Sequence, residues 1–147
     1  MKNSLNADKS SSLGLLLARL PMGAYFLLAG LDKLTHGAAR FAHDQVANIP
    51  SQVPHDWGMG YLHALPFLEI AVGSLLILGL ATRLAGLAGS LMVITFIVGA
   101  TGIKSPTLPF QPNLIYLGLL LAVLLIGTGR FSLDAAIFGK RKPAKLS

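Results

Sequence analysis

The chain has 147 residues, of which 53% are hydrophobic and only 12% are charged, and its formal net charge is +6. Soluble domains carry about a quarter charged residues, so this composition excludes a disordered chain and argues against a water-soluble globule. The sequence has no cysteine, which excludes disulfides, thiolate zinc sites and cysteine-ligated iron–sulfur clusters.

Apolar segments follow one another along the chain, at 13–31, 61–80, 85–103 and 113–129. About 20 apolar helical residues cross a hydrocarbon core of about 30 Å, so each segment is close to the length of a transmembrane helix. Arg19 and Glu69 are the only charged residues within these segments. We therefore predict an all-α, polytopic membrane protein in which a single domain over 1–147 forms an antiparallel bundle of four transmembrane helices.

The longest connection, 32–60, joins the first two apolar segments. Its apolar side chains recur at helical spacing, at Ala38, Phe41, Ala42, Val46 and Ile49. This pattern predicts a short amphipathic helix that lies on the outer membrane surface and ends before Pro50.

The basic residues are distributed unequally between the two sides of the predicted bundle. One side holds both termini and the turn between the second and third helices, and it carries Lys2, Lys9, Arg83, Arg130, Lys140, Arg141, Lys142 and Lys145. The other side carries Lys33, Arg40 and Lys104. Positive residues favour the cytoplasm, so we expect both termini to be cytoplasmic, in the inner membrane of a bacterial-type cell. This distribution explains the net charge, and we predict no nucleic-acid partner.

The intramembrane charges share helix faces with small residues. In the first helix, Arg19 and Lys33 lie on one stripe with Phe26 and with glycines at 23, 30 and 37. In the second helix, Glu69 shares a face with Pro66 and Gly73. A charge at the membrane centre costs about 2.5–3.5 kcal/mol on insertion scales. We therefore expect Arg19 and Glu69 to face the bundle interior and to pair with each other.

This pair has two interpretations that the residues leave open. It is either a buried ion pair that fixes the helix register or part of a ligand-binding or proton-handling pocket. Asn113 and Tyr116 share a stripe at the start of the fourth helix, where they either cap such a pocket or anchor the helix at the interface. The candidate site residues are Arg19, Lys33, Glu69, His63, Asn113 and Tyr116.

All four histidines fall on the predicted outer side. His36, His43 and His55 would be the ligands of any metal there, but no HxH, HxxH or HExxH spacing is present. We therefore predict no metal site. A haem with two axial histidines is also disfavoured, because only His63 lies within an apolar segment.

Three sequence segments carry a resemblance to a known family. They are 19–34, which ends in AGLDKL, LEIAVG at 68–73 leading to LATR at 80–83, and GTGRFSLD at 127–134. Over roughly 13–138, the chain resembles the DoxX family of small four-helix membrane proteins. The last segment is the most specific, since it is similar to the family's Gly-x-Gly-Arg-x-Ser-Leu-Asp ending.

The resemblance implies a membrane subunit of a quinone-linked oxidoreductase, such as thiosulfate–quinone oxidoreductase, or a partner in oxidative-stress complexes. It places the family motif positions on Arg19, Lys33 and Glu69. No redox-active residue type is carried over, so electron transfer would require a bound quinone or a partner subunit that holds the cofactor. Whether the chain takes part in an enzyme reaction stays open at this point.

Two hypotheses follow. In the first, the chain is a membrane subunit in which Arg19, Glu69 and neighbouring polar groups bind a quinone head group, with Glu69 exchanging protons. In the second, it is a non-catalytic membrane scaffold or accessory subunit, as a homo-oligomer or with a protein partner. A small-molecule transporter would have to oligomerise, because one four-helix chain offers no inverted repeat.

Overall fold

A computed structural model describes residues 2–101, 112–127 and 132–138 of the chain. These residues form helices α1 (Lys2–Thr35), α2 (Ala38–Gln45), α3 (His55–Leu78), α4 (Thr82–Thr101), α5 (Pro112–Ile126) and α6 (Leu133–Phe138), with a 3-10 turn at Val46–Asn48. The predicted all-α class is confirmed.

Within the described residues, three stretches are long and apolar enough to cross a membrane: Ser12–Thr35, His55–Leu78 and Thr82–Gly99. Helix α5 is apolar but shorter, and its 15 residues extend about 22 Å at 1.5 Å per residue. These helices confirm an integral, multi-pass membrane protein.

The helix boundaries differ from the predicted ones where local backbone interactions decide them. Helix α3 begins at His55 rather than at 61, because the Pro54 carbonyl accepts hydrogen bonds from the N–H groups of Trp57 and Gly58. It ends at Leu78, because Gly79 adopts a left-handed conformation with φ 66°. The predicted end of the third segment, 102–103, lies outside the described residues.

The second half of α1 packs against α3 as an antiparallel pair. A side chain at Gly73 would lie 2.7 Å from the Gly23 carbonyl oxygen, and one at Gly30 would lie 2.6 Å from that of Pro66. The predicted glycine stripe is thus confirmed at two positions, where it lets the backbones touch. Gly37 does not belong to it, because α1 ends at Thr35 and Gly37 begins α2 with φ 97°.

Helix α2 exists as predicted, but its apolar face does not lie on the membrane surface. Ala42 is fully buried and Phe41 packs against the hydrophobic core. Beyond the 3-10 turn, Ile49 lies where a side chain at Gly58 would be, 2.6 Å from the ideal Cβ position. The apolar side chains therefore cover the bundle, because burial against α3 is available to them.

The bundle has two ends, and each carries a short helix, α2 or α6. The α2 end is where α1 ends and α3 begins, and the α6 end is where α3 turns into α4. Between them, the core is filled by fully or almost fully buried side chains, among them Met22, Phe26, Leu76, Val93 and Leu120.

Candidate functional site

A buried ion pair lies at the α2 end. The Glu69 side chain is only 2% exposed, and Lys33 Nζ donates to its Oε1 and Oε2 at 2.8 Å each. Lys33 Nζ also donates to the Ala29 carbonyl oxygen at 3.4 Å, and it lies 5.1 Å from the centroid of the Phe41 ring. The ammonium group is thus held by three oxygens and covered by an aromatic ring.

The predicted pairing of Arg19 with Glu69 is wrong. The antiparallel register places Gly30 against Pro66 and Glu69, whereas the Arg19 guanidinium lies against Gly79. Gly79 is ten residues beyond Glu69 in the sequence, which corresponds to about 15 Å along a helix axis. Both charges do face the bundle interior as predicted, since Arg19 and Glu69 are both buried.

The neighbours of Arg19 form a second polar cluster at the α6 end. Asp134 accepts hydrogen bonds from the backbone N–H groups of Ala81 and Thr82 at 2.9 Å each, and from Thr82 Oγ1 at 3.1 Å. Its own N–H donates to the Gly79 carbonyl oxygen at 3.1 Å. Asp134 therefore caps the start of α4 and ties α6 to the α3–α4 turn.

The charge of Asp134 is stabilised by this environment. Burial raises the pKa of the Asp134 carboxyl group, but the hydrogen bonds from Thr82 and Ala81 and the positive charge of Arg19 together outweigh it. The net effect holds the pKa of Asp134 below its ordinary value. Asp134 is therefore ionised at neutral pH and acts as the counter-charge for Arg19.

A cavity of about 630 Å³ opens next to the Lys33–Glu69 pair. Its walls come from every helix of the bundle except α6, and the segment 48–53 lies over it. Most of the lining is apolar, with the polar groups of a few side chains between. The lining residues include Tyr25, Lys33, Phe41, Gln45, Asn48, Trp57, Tyr61, Leu65, Glu69, Ile94, Thr95 and Asn113.

A directed chain of hydrogen bonds crosses one wall of the cavity. Thr95 Oγ1 donates to the Met92 carbonyl oxygen at 2.7 Å, and the Tyr61 hydroxyl lies 2.6 Å from Thr95 Oγ1. Because the Thr95 hydrogen is used within α4, Tyr61 is the donor to Thr95. Sequence reasoning missed both residues, although Tyr61 lies two turns before Glu69 on the same side of α3.

The structure brings together some of the predicted site residues and separates others. Lys33, Glu69 and Asn113 line the cavity. Tyr116 lies beside it, with its ring centroid 4.8 Å from that of Tyr25. His63 is exposed and its Nδ1 lies 2.8 Å from the Met59 carbonyl oxygen, while Arg19 is at the opposite end.

The loop histidines lie on the surface of the α2 end. His36 pairs with Asp32 at 3.2 Å and His55 with Asp56 at 3.6 Å, and all four side chains are exposed. His43 is also exposed. In the part of the chain that the structure describes, no three His, Asp or Glu side chains are grouped so that they could hold a metal ion.

The fold and the site define a multi-pass helical membrane protein with an ion pair beside a partly open, mostly apolar cavity. The model of the DoxX family matches residues 14–102, which is more than half of the chain. The chain belongs to the DoxX family. Curated proteins and solved structures gave no match.

The matched region includes two of the three segments that suggested the family, at 19–34 and at 68–83. The third segment, 127–134, lies beyond the match, and its residues 128–131 lie outside the described structure. Asp134 of that segment nevertheless has a clear role, since it caps α4.

Proposed function

We propose that this DoxX-family protein binds a small amphipathic ligand, of which a quinone is the leading candidate, in the cavity beside Lys33 and Glu69. In this proposal it serves as a membrane subunit of a quinone-linked oxidoreductase system. The observation that carries the proposal is the cavity itself: about 630 Å³, within the range of about 300–1,000 Å³ that is typical of small-molecule sites.

The lining has the character of such a site. Ligand pockets are mostly apolar with a few placed polar groups, and here Leu65, Ile94 and Phe41 provide apolar surface around Glu69 and Lys33. An intramembrane ionisable pair is by default a candidate for function. A quinone would supply the electron chemistry, and a partner protein would hold the other redox centre.

A second function is favoured by one specific observation. Lys33 Nζ lies 2.8 Å from each of the two Glu69 carboxylate oxygens. This geometry also suits a purely structural contact between α1 and α3. In that case the chain is a non-catalytic scaffold or accessory subunit. Ligand binding at the cavity distinguishes the two functions.

The binding test uses the only tryptophan of the chain, Trp57, which lines the cavity. The full chain is reconstituted in lipid nanodiscs and titrated with decylubiquinone while the Trp57 fluorescence is followed. We expect saturable quenching above the linear background from quinone that dissolves in the lipid. A strictly linear response would contradict the proposal.

A pair of matched variants in α4 locates the binding site. Ile94 and Leu91 are both exposed on α4, but only Ile94 is among the residues that line the cavity. Ile94→Phe fills part of the cavity and is expected to weaken the saturable phase about tenfold or more, while Leu91→Phe leaves it unchanged. Equal effects of both variants would place the quinone elsewhere.

We also propose that the α6 end faces the cytoplasm of a bacterial-type cell. The support is the distribution of basic residues, although Lys104, Arg130 and the basic residues after 138 lie outside the described structure. Because the sequence has no cysteine, single cysteines at Ser51 and Ala136 report the two sides. An impermeant thiol reagent on intact cells should label Ser51→Cys only, and labelling of Ala136→Cys only would reverse the orientation.

A further inference from the structure

We infer that the ligand reaches the cavity from within the membrane, through the gap between α3 and α4 at the α2 end, and that the hydrogen bond from Tyr61 to Thr95 restrains this gap. The inference rests on the proposed function, since it specifies how the ligand of that same cavity enters. The route follows from the packing of the helices, from the side chains that border both lipid and cavity, and from the groups that cover the cavity elsewhere.

Helices α1, α3, α4 and α5 form two tightly packed pairs. In the pair of α1 and α3, a side chain at Gly30 would lie 2.6 Å from the Pro66 carbonyl oxygen, and in the pair of α4 and α5, one at Gly86 would lie 3.1 Å from the Leu124 backbone nitrogen. Among the described residues, no glycine brings the backbone of α3 equally close to that of α4. These two helices also touch each other less than the members of either pair do. The gap between them is therefore a weak line in the wall of the bundle.

A lipid-facing stripe of α4 continues onto the wall of the cavity. The stripe consists of exposed apolar side chains that recur every three or four residues, at Leu84, Leu87, Leu91, Ile94 and Val98. All of them belong to the stretch Thr82–Gly99, which is long and apolar enough to cross a membrane. Leu91 is not among the residues that line the cavity, whereas Ile94 and Val98 are. The cavity is thus continuous with the lipid-facing surface of α4.

One hydrogen bond spans the gap at the level of this stripe. Thr95 follows Ile94 in the sequence, and its Oγ1 accepts from the Tyr61 hydroxyl at 2.6 Å in an exposed position. Thr95 Oγ1 is itself tied to α4, because it donates to the Met92 carbonyl oxygen at 2.7 Å. A ligand that passes between α3 and α4 at this level has to break the bond between Tyr61 and Thr95. One such bond corresponds to roughly a two- to tenfold effect on a rate, so it restrains the gap without sealing it.

The cavity is covered where α2 meets the bundle. The segment 48–53 lies over it. On α3, Ile49 fills the place of a side chain at Gly58, 2.6 Å from the ideal Cβ position, and on α4, the Asn48 carbonyl oxygen would lie 3.3 Å from a side chain at Gly99. The segment therefore reaches across the ends of both helices. A cavity that is covered at this end and continuous with lipid along α4 receives its ligand from the lipid.

The opposite side of the cavity, between α1 and α5, is filled by aromatic rings. The ring centroids of Tyr25 and Tyr116 lie 4.8 Å apart, and the Tyr25 ring also packs edge-on against Phe26 at 5.9 Å. Large rings in contact leave less room for passage than one hydrogen bond between two side chains. This contrast favours the gap between α3 and α4 as the route.

The rates of binding test the restraint by Tyr61 and Thr95. The full chain in nanodiscs is equilibrated with decylubiquinone, so that the quinone is already in the lipid, and a temperature jump then shifts the equilibrium while Trp57 fluorescence is followed. Thr95→Val removes the acceptor and keeps the shape of the side chain. We expect the association and dissociation rate constants both to rise about fivefold, the effect of one hydrogen bond, because the bond hinders passage in both directions.

Two further variants accompany this measurement. Tyr61→Phe removes the donor of the same bond and keeps the ring, so it should change both rates in the same way. The control is Thr35→Val, which removes a hydroxyl that bonds to the Asp32 carbonyl oxygen outside the cavity lining and should leave both rates unchanged. A rise in the dissociation rate alone would make Thr95 a contact of the bound ligand. That result, or unchanged rates in both Thr95→Val and Tyr61→Phe, would overturn the restraint.

Two cross-links decide the route, because the sequence has no cysteine of its own. In Tyr61→Cys with Thr95→Cys, a short bis-thiosulfonate reagent joins α3 to α4 across the gap. In Ile49→Cys with Gly58→Cys, the close contact of the two positions allows a disulfide that fastens the segment 48–53 to α3. Each joined form is compared with its own reduced form. We expect the first link to slow association by about tenfold or more, as closure of an entrance does, and the second to leave the rate unchanged.

The remaining outcomes contradict the inference. Slower association with the Ile49–Gly58 link would show that the ligand passes beneath the segment 48–53. Equal rates in the joined and reduced forms of both pairs would show that it passes through neither opening. Either result would leave the proposed function standing, since that function is contradicted by the absence of saturable binding in the equilibrium titration with decylubiquinone.

Discussion

The two ends of the bundle hold buried charges in different ways. At the α6 end, the Asp134 carboxylate accepts hydrogen bonds from the backbone of the α3–α4 turn, and the positive charge of Arg19 stabilises it. At the α2 end, Lys33 and Glu69 bind each other beside a cavity of about 630 Å³. The first arrangement ties α6 to the turn between α3 and α4. The second places two charged side chains in the wall of a cavity.

The chain connectivity distinguishes the α2 end, where the cavity opens, from the α6 end. Helices α3 and α4 are joined by the short turn at 79–81, and α6 is hydrogen-bonded to this turn. At the α2 end, both helices line the cavity, for example through Leu65 and Ile94. A buried charge at the turn thus serves the fold, and a buried charge at the open end is available to a ligand.

The largest expected effect comes from breaking the pair at the α2 end. Glu69→Gln leaves the Lys33 ammonium without its counter-charge, and losing one partner of a buried pair typically costs about 3–5 kcal/mol. Replacing both residues by Met should recover most of this loss. The free energy of unfolding is measured by titration with SDS in mild detergent.

A second double-mutant cycle is the control for this prediction. Arg19 and Glu69 are separated by about 15 Å along the helices, and distant sites behave additively within about 0.5 kcal/mol. Substitutions of these two residues by Met should therefore add, whereas those of Lys33 and Glu69 should not. Strong coupling between Arg19 and Glu69 would show that the register described here is incorrect.

A smaller loss of stability is expected at the α6 end. Asp134→Ala removes the acceptor for Ala81, Thr82 and the charge of Arg19, which should lower the free energy of unfolding by about 2–3 kcal/mol. Decylubiquinone binding to the folded variant should be unchanged, because Asp134 is at the opposite end from the cavity. Loss of binding in a folded Asp134→Ala variant would contradict the proposal that the α2 end binds the ligand and the α6 end has a structural role.

The close approach of α1 and α3 gives the next effect. A methyl group at Gly30 would lie 2.6 Å from the Pro66 carbonyl oxygen, whereas one at Gly118 would meet nothing within 4 Å. Gly30→Ala should therefore cost about 1–3 kcal/mol through overpacking, and Gly118→Ala should be neutral or slightly stabilising. Equal stability of the two variants would contradict the packing of α1 on α3.

The smallest effect is a pH dependence that belongs to Asp134. Its pKa in the folded state is below the ordinary value, so its contribution to stability is fully present above the unfolded-state pKa of about 3.9. That contribution is lost as the pH falls through the folded-state pKa. The difference in unfolding free energy between the unmodified chain and Asp134→Asn should therefore shrink in acid, and a difference that grows in acid would contradict this assignment.

Much of the fold followed from the sequence because membrane-length apolar segments and glycine spacing are local signals. The stripe of Arg19, Phe26 and Gly30 and the face of Glu69 are buried as the spacing predicts. The pairing of the charges did not follow, because it depends on the register between two helices. The close contact between Gly30 and Pro66 fixes that register, which places Lys33 and not Arg19 beside Glu69.

The cavity itself was not predictable from the residues. Tyr61 and Thr95 belong to different helices, and only the packed structure shows that they meet. The short helix in the first loop was predicted from its spacing, but its position over the bundle depends on Ile49 meeting Gly58. Of the charged and titratable candidates, Lys33 and Glu69 line the cavity, whereas Arg19 and His63 do not. The residue type alone does not reveal where a side chain lies in the packed bundle.

The central claim is that a ligand occupies the α2 end and not the lipid-facing surface. The most direct test is photo-crosslinking of the full chain in nanodiscs with a diazirine-bearing ubiquinone analogue, followed by mapping of the modified peptides. We predict labelling of lining residues such as Phe41 and Leu65 that unlabelled decylubiquinone suppresses. Labelling confined to exposed apolar positions such as Leu28 and Leu125, with no competition, would contradict the account.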